Sequence, residues 1–249
     1  MNLQKIYTRN NVTKILIKGI DTAFISAIRR SAMLNVPVLA IETIHIYKNS
    51  SVLFDEFLGS RLGMIPLKTD MKDYKKGDVV KLTLNEAGPK IVYSKDIQST
   101  DPNVEIAYKN IPIVKLAEGQ EVKMDMDAEI GTGRDHAKFQ PGLVAFNQVP
   151  ELTTNKKPKD IEALVNAAPK GTLEAKGGKL VMADPIDRPL VEAAYDADKE
   201  GALSLEYKEG NYVMTIEPYG FIGAQEILEV AAQKIAETAE VFEGEIKKL

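Results

Sequence analysis

The sequence contains no cysteine. This single absence excludes disulfide bonds, thiolate metal sites, iron–sulfur ligation and cysteine nucleophiles. Histidine is also scarce, with two residues in 249, so few candidates exist for histidine-based catalysis. An excess of positive charge is missing as well: the net charge is −4. A dominant nucleic-acid surface is normally basic, so we expect no direct nucleic-acid site.

Long apolar runs are absent too. The first residues include no apolar run of signal-peptide length, and no window of about 18 apolar residues occurs anywhere. We therefore expect a cytoplasmic protein that does not associate with membranes. Hydrophobic residues make up 44% and charged residues 27%, an ordinary globular balance for one large or two small domains.

The least generic stretch runs from Asp21 to Leu67. Asp21 is a good N-cap, and apolar residues spaced by three and four predict a helix through about Leu34. β-branched residues then predict a strand over 38–47. The segment DEFLGSRLGMIPL predicts a second helix that Gly63 and Pro66 terminate. The stretch contains no plausible catalytic dyad.

The rest of the chain changes character several times. Short apolar runs between turn residues predict antiparallel strands over 68–130, followed by a polar loop, GTGRDHAKFQPG, at 131–142. Two helix-like pieces bracket a small hairpin within 151–200. A hairpin is predicted over 203–217, and a long helix from about Gly223 to the C-terminus.

The C-terminal helix carries an apolar seam with a spacing of seven residues, formed by Leu228, Ile235, Phe242 and Leu249. Such a seam is ordinary core in most helices. A helix of this length is not easily buried by a small domain alone, so pairing with a helix of a partner is the second interpretation. The residues by themselves leave both open.

Two polar motifs also permit two interpretations each. Arg29 and Arg30 form either a solvated helix end or a pair of anchors for a large partner. His136 and Asp135, in the glycine-rich loop, suit proton transfer beside a bound phosphate, but the glycine spacing matches neither a P-loop nor a dinucleotide fingerprint. A loop histidine bonded to backbone is the better interpretation, and a free-standing enzyme using the His136 loop is the alternative function.

Residues 26–67, SAIRRSAMLNVPVLAIETIHIYKNSSVLFDEFLGSRLGMIPL, closely resemble the signature of a known family. It is the D-subunit family of archaeal DNA-directed RNA polymerase, the counterpart of the third-largest eukaryotic subunit and of the bacterial alpha N-terminal domain. HAKFQP at 136–141 is similar to a second motif of the family, which usually has Trp in place of Phe139. The closing strand and long helix also resemble the family, so the resemblance covers nearly the whole chain.

The resemblance implies an α+β fold in three parts. A discontinuous alpha-like dimerisation domain comprises 1–49 and 201–249. An antiparallel β domain is inserted at 50–150. A small ferredoxin-like insert occupies 151–200.

The resemblance further implies a non-catalytic assembly subunit with no nucleotide site. It would form a heterodimer with subunit L and, with small subunits N and P, the platform for the large catalytic subunits. Arg29 and Arg30 would face the second-largest subunit. The residues expected to contact subunit L are Phe24, Ile28, Leu228, Ile235, Phe242 and Leu249.

The insert departs from the family in one respect. Many members bind iron–sulfur clusters there through cysteines, whereas this chain has other residues at the corresponding positions: Ala168, Arg188, Val191, Ala194 and Asp198. We therefore expect no cofactor, and the missing cysteines argue against a third alternative, an electron-transfer protein. Apolar packing must hold this insert together, which should make it the least stable part of the protein. Its predicted core is Leu164, Val165, Leu173, Leu180, Val181 and Leu190.

Overall fold

The computed structural model describes residues 1–68, 74–154, 161–176, 179–182 and 187–248. Its contacts divide the chain into two compact units. One comprises Met1–Ile25 and Ala145–Thr215, and the other Ser26–Val144 and Ile216–Leu249. Each unit is built from segments that are distant in sequence. The three-part domain division expected from the sequence stays a prediction.

The N-terminal segment is a hairpin followed by the predicted helix, strand and helix. Its elements are β1 (Asn2–Arg9), β2 (Val12–Lys18), α1 (Thr22–Leu34), β3 (Val38–Asn49) and α2 (Asp55–Gly63). The hairpin turns at Asn10 and Asn11, both with positive φ, the conformation that a two-residue turn requires. Asp21 caps α1 as predicted: its Oδ1 accepts a hydrogen bond from the Phe24 N–H at 2.6 Å.

Short strands dominate the next, β-rich region. In its described residues they are β4 (Leu67–Lys68), β5 (Val79–Ala87), β6 (Lys90–Tyr93), β7 (Gln98–Ser99), β8 (Glu105–Ile106), β9 (Pro112–Leu116) and β10 (Glu121–Gly131). Strands β3, β10, β5 and β7 form an antiparallel sheet in that order, while β4 pairs with β8 and β6 with β9. Together with the helices, these antiparallel sheets confirm that the protein has a mixed α and β fold.

The core of this region follows from a period of two along β10. Val122, Met124, Met126 and Ala128 are buried, and the residues between them are polar and more accessible. Buried side chains from β3, β5 and α2 complete the same cluster, among them Ile41, Leu82, Leu58 and Leu62. The cluster is large, so it gives the β-rich region a core of its own.

The remaining elements are β11 (Gly142–Thr154), α3 (Ile161–Ala167), β12 (Leu173–Lys176), β13 (Lys179–Met182), α4 (Arg188–Asp196), β14 (Leu203–Pro218) and α5 (Ala224–Ile246). Strands β1, β2, β14 and β11 form a second four-stranded sheet in that order, and β12 pairs with β13. The order helix, hairpin, helix between β11 and β14 is the predicted one.

The hairpin predicted over 203–217 is wrong, because β14 is one strand of 16 residues. Its KEGN segment is a typical turn sequence. Instead of turning there, Gly210 adopts a positive φ of 74°, and its carbonyl accepts hydrogen bonds from the N–H groups of Gly19 and Ile20. The strand lies between β2 and β11, so it has neighbours on both edges and stays extended.

The core predicted for the 151–200 insert is partly correct. Val181 and Leu190 are exposed, contrary to prediction. On α4 the buried residues are Val191 and Ala194. They are three residues apart, so they share the face of the helix that packs inward, whereas the preceding Leu190 lies on another face. The buried cluster comprises Leu164, Ala168, Leu173, Ala194 and Leu203, with Leu152, Val165, Leu180 and Ala197 packed against it.

Candidate partner-binding surface

The C-terminal half of α5 presents apolar side chains to solvent. The helix has 23 residues, about 35 Å at 1.5 Å per residue. Ile227 and Ala231 are fully buried near its start. Every residue from Thr238 to Lys248 is exposed, including Phe242, whose exposed fraction is 67%. Exposed apolar residues of this size, close together, are typical of an interaction surface.

A groove of about 470 Å³ runs between α1 and α5. Ala27, Arg30 and Leu34 of α1 line one side, and Ile235, Ala239 and Phe242 of α5 line the other, with Ser31, Asn35, Arg134 and Thr238 completing it. Small residues such as Ala27 and Ala239 let another element approach the helix backbones closely. We refer to this site as the α1–α5 groove.

A chain of hydrogen bonds fixes the two helices that form the groove. The Ser31 hydroxyl, 2% exposed, donates to the backbone carbonyl of Ala231 at 2.8 Å. Asn35 donates to the Ser31 hydroxyl at 3.4 Å, and the Nε of Arg134 donates to Asn35 Oδ1 at 2.8 Å. This chain connects the 131–142 loop, α1 and α5, so the groove has defined walls.

The predicted contact residues for subunit L are only partly brought together. Ile235 and Phe242 lie in the α1–α5 groove, whereas Ile28 and Leu228 are half-buried and do not line it. Phe24 is exposed on α1. Leu249 lies outside the described residues. The assignment of these residues to an interface stays a prediction.

The two arginines of α1 have different surroundings. Arg29 is half-buried and does not line the groove. Arg30 is exposed, lines the groove and donates to the Ser26 hydroxyl at 3.2 Å. Their predicted contact with a large subunit is untested.

A second apolar surface, around α2, was not predicted. Phe54, Phe57 and Met64 are apolar residues in or beside the predicted second helix, together with Leu58 and Leu62. Leu58 and Leu62 are buried, but the other three are exposed by 57% or more. The available signal for Phe57 was that it directly precedes Leu58, and adjacent residues lie about 100° apart around a helix, so one packed face does not bury both.

The His136 and Asp135 side chains form hydrogen bonds within their own loop. His136 Nδ1 accepts a hydrogen bond from the Lys138 N–H at 3.1 Å, the backbone contact expected from the sequence. The backbone N–H and the hydroxyl of Thr132 both donate to Asp135 Oδ2 at 2.9 Å, and these bonds lower the pKa of the Asp135 carboxyl. An ionised carboxylate held by its own loop is poorly placed to act as a general base.

The other end of this loop is anchored to β3. Lys138 donates to the Ile41 carbonyl at 2.8 Å and pairs with Glu42, while Phe139 is buried beneath it. The ammonium group of Lys138 also lies 5.2 Å from the centre of the Phe139 ring. The HAKF segment therefore serves packing.

The residues at the positions of cluster ligands do not fit an iron–sulfur cluster. Ala168, Val191 and Ala194 are buried apolar side chains. Arg188 pairs with Glu192, and Asp198 accepts hydrogen bonds from the Glu200 and Leu203 N–H groups. None is a thiolate, and no group of potential ligands suited to a metal ion occurs in the described part of the chain.

Comparison with known proteins identifies the family. The model of the RNA polymerase Rpb3/RpoA insert domain matches residues 44–146. DNA-directed RNA polymerase subunit Rpo3 of Methanobrevibacter smithii is 33% identical over 91% of this chain and 91% of its own length. The Pyrococcus horikoshii subunit is 34% identical over 97% and 96%, and that of Halobacterium salinarum 33% over 94% and 92%.

The chain belongs to the Rpo3 family of DNA-directed RNA polymerase subunits. Membership confirms the family resemblance and the main function predicted from the sequence, an assembly subunit in transcription, over the His136 enzyme. As an Rpo3-family member it associates with other polymerase subunits. Among the residues that the structure describes, no helix has both the length and the apolar composition needed to cross a membrane.

Proposed function

We propose that this chain is a non-catalytic subunit that forms a heterodimer with the small subunit L through α1 and α5. The observation that carries the proposal is the exposed apolar end of α5, which borders the α1–α5 groove. Val241, Phe242 and Ile246 are at least half exposed. A helix packed into the groove and along this end would bury them, which removes apolar area from water.

The heterodimer is the platform on which polymerase assembly proceeds. Small subunits N and P join it, and the large catalytic subunits assemble on it. Arg29 and Arg30 face the second-largest subunit, since arginine suits bidentate contacts at interfaces. The exposed apolar surface of α2 gives the β-rich region its own site for polymerase subunits. We place this assembly in the cytoplasm.

The alpha-like dimerisation domain is discontinuous in sequence, and the insert at 151–200 is a ferredoxin-like domain without a cofactor. Its order of two helices around a hairpin and the buried apolar residues at three of the five ligand positions support this proposal. Packing of the buried apolar residues replaces the cross-links that an iron–sulfur cluster would supply. No catalytic residue and no direct nucleic-acid site belong to this function.

The test is co-purification with subunit L after Phe242→Asp. A charge at this position has to be desolvated when the helices pack, so we expect binding to weaken by about 2 kcal/mol or more, the range of interface hot spots. Phe57→Asp is the matched control, because Phe57 is 63% exposed but lies on α2. Equal recovery of L with wild type and Phe242→Asp would contradict the proposed surface.

A further inference from the structure

The α1–α5 groove is apolar at its base but carries two cations. Ile235, Ala239 and Phe242 contribute apolar surface, while Arg30 and Arg134 contribute guanidinium groups. No carboxylate lines the groove among the described residues. Glu237 and Glu243 of α5 instead pair with lysines of their own helix. The groove therefore has uncompensated positive charge beside an apolar base.

Arg134 is held in place although it is exposed. It belongs to the 131–142 loop, where the adjacent Gly133 packs so closely on α1 that an added Cβ would lie 2.1 Å from the Met33 carbonyl oxygen. Its Nε is committed to Asn35, whose side chain continues to Ser31 and the Ala231 carbonyl. Within the described chain its guanidinium has no carboxylate partner, so its terminal amino groups are oriented donors beside the groove.

We infer that Arg134 makes the 131–142 loop part of the heterodimer surface, where it binds a carboxylate side chain on the helix of subunit L that fills the groove. The inference rests on the proposed heterodimer and adds to it the chemistry of the occupant. That helix presents apolar side chains to Ile235 and Phe242 and an aspartate or glutamate to Arg134. Charge complementarity argues for this occupant, because a basic helix would meet two arginines and no acid.

Arg134 is therefore a specificity-determining residue. Its geometry suits this role, because a guanidinium fixed through Nε still offers a planar pair of donors that matches a carboxylate. The preceding loop glycines and the Asn35 contact set its position. Neither α1 nor α5 supplies this residue, so the sequence-level expectation of a two-helix interface omits it.

The experiment measures the dissociation constant of the complex between the full chain and purified subunit L at low and moderate salt. We expect Arg134→Glu to weaken binding roughly tenfold or more at low salt, with a smaller loss at moderate salt, where charge interactions are screened. Arg134→Lys keeps the charge but loses the planar pair of donors, so it should weaken binding least, and Arg134→Gln should fall between the Lys and Glu variants. Lys123→Glu, an exposed charge reversal on β10, is the control and should bind normally.

Replacing the partner's acid with lysine should restore affinity for Arg134→Glu and for no other variant. Circular dichroism and the unfolding midpoint verify that each variant is folded. Wild-type affinity of Arg134→Glu would overturn the inference and leave the heterodimer intact. Equal losses in the Lys, Gln and Glu variants would also overturn it, because the Asn35 contact alone would then explain the effect. No complex with the wild-type chain would contradict the heterodimer itself.

Discussion

Gly133 shows how one residue can determine a contact between distant segments. A Cβ at this position would lie 2.1 Å from the Met33 carbonyl oxygen and 3.2 Å from the Leu34 Cα, and both are backbone atoms that cannot rotate away. Only glycine lets the loop reach the C-terminal end of α1. The sequence identifies a glycine-rich loop, but it does not identify which helix the loop contacts.

Gly133→Ala should therefore destabilise the protein by about 1–3 kcal/mol, the usual cost of overpacking. Gly244→Ala is a matched control, because nothing lies within 4 Å of an added Cβ there. Alanine at this helical position should leave the free energy of unfolding unchanged or raise it by up to about 1 kcal/mol. Urea unfolding of both variants measures the difference, and equal midpoints would contradict the close packing.

Glu192, Tyr207 and Arg188 form a cluster between α4 and β14. The Tyr207 hydroxyl and the Arg188 Nε donate to Glu192 Oε1 at 2.5 and 2.8 Å, and the guanidinium lies 4.9 Å from the centre of the Tyr207 ring. These hydrogen bonds, that of Tyr207 first, lower the pKa of Glu192. The bond to Glu192 raises the pKa of Tyr207.

Because the pKa of Glu192 is lower in the folded protein, its hydrogen bonds contribute their full stability at pH values above the pKa that Glu192 has in the unfolded chain. This contribution is lost as the pH falls through the folded pKa. The raised tyrosine pKa implies a second loss as the pH rises above the ordinary tyrosine range. Tyr207→Phe should thus lower the unfolding midpoint near pH 7, with the difference from wild type shrinking in acid. A difference that is independent of pH between 3 and 7 would contradict the charge-assisted bond.

At the scale of elements, local patterns predicted the helices and central strands well. The N-cap of α1, the strand β3 and the order of elements in the insert all follow from residue type and spacing. The patterns failed where the result depends on neighbours. β14 stays extended through KEGN because β2 and β11 flank it, and Phe57 is exposed although it continues an apolar pattern.

Periodicity also cannot distinguish a face buried within the chain from one meant for another chain. Phe242 and Ile227 both occupy apolar positions of α5, yet one is exposed and the other fully buried. The position of Arg134 beside α1 was also missed, because its hydrogen-bond partner Asn35 is 99 residues away in the sequence. Only the folded chain places them side by side.

The helices and hairpin of the 151–200 insert should open before the rest of the molecule. Their cluster has five buried apolar residues in the described chain, against nineteen in the cluster of the β-rich region. Less buried area means a lower free energy of local opening. Hydrogen exchange read by mass spectrometry should therefore show α3, β12 and α4 exchanging sooner than β3, β5 and β10. Equal protection would count against a weakly packed insert.

At the scale of the whole molecule, the chain exposes apolar residues on two separate surfaces. The end of α5 and the surface of α2 both carry aromatic residues in solvent. Neither surface holds a set of catalytic groups. This distribution fits an assembly subunit, whose stability in solution depends on its partners.

We therefore expect the isolated chain to associate with itself and to become well behaved with subunit L. Binding of a partner to the folded form alone also raises the apparent stability by mass action. Sedimentation of the chain alone and after co-expression with L measures the self-association, and the unfolding midpoints of the same two samples measure the stability. A stable, monodisperse monomer without affinity for L would contradict this expectation.

The exposed end of α5 has a further consequence inside the cell. A copy that has found no partner displays Val241, Phe242 and Ile246 to chaperones and proteases, which recognise such apolar segments. In the proposed heterodimer these side chains would be covered. Surplus subunits should therefore be degraded while paired ones persist, so that the stoichiometry of the polymerase is corrected after translation by the lifetime of the unpaired chain.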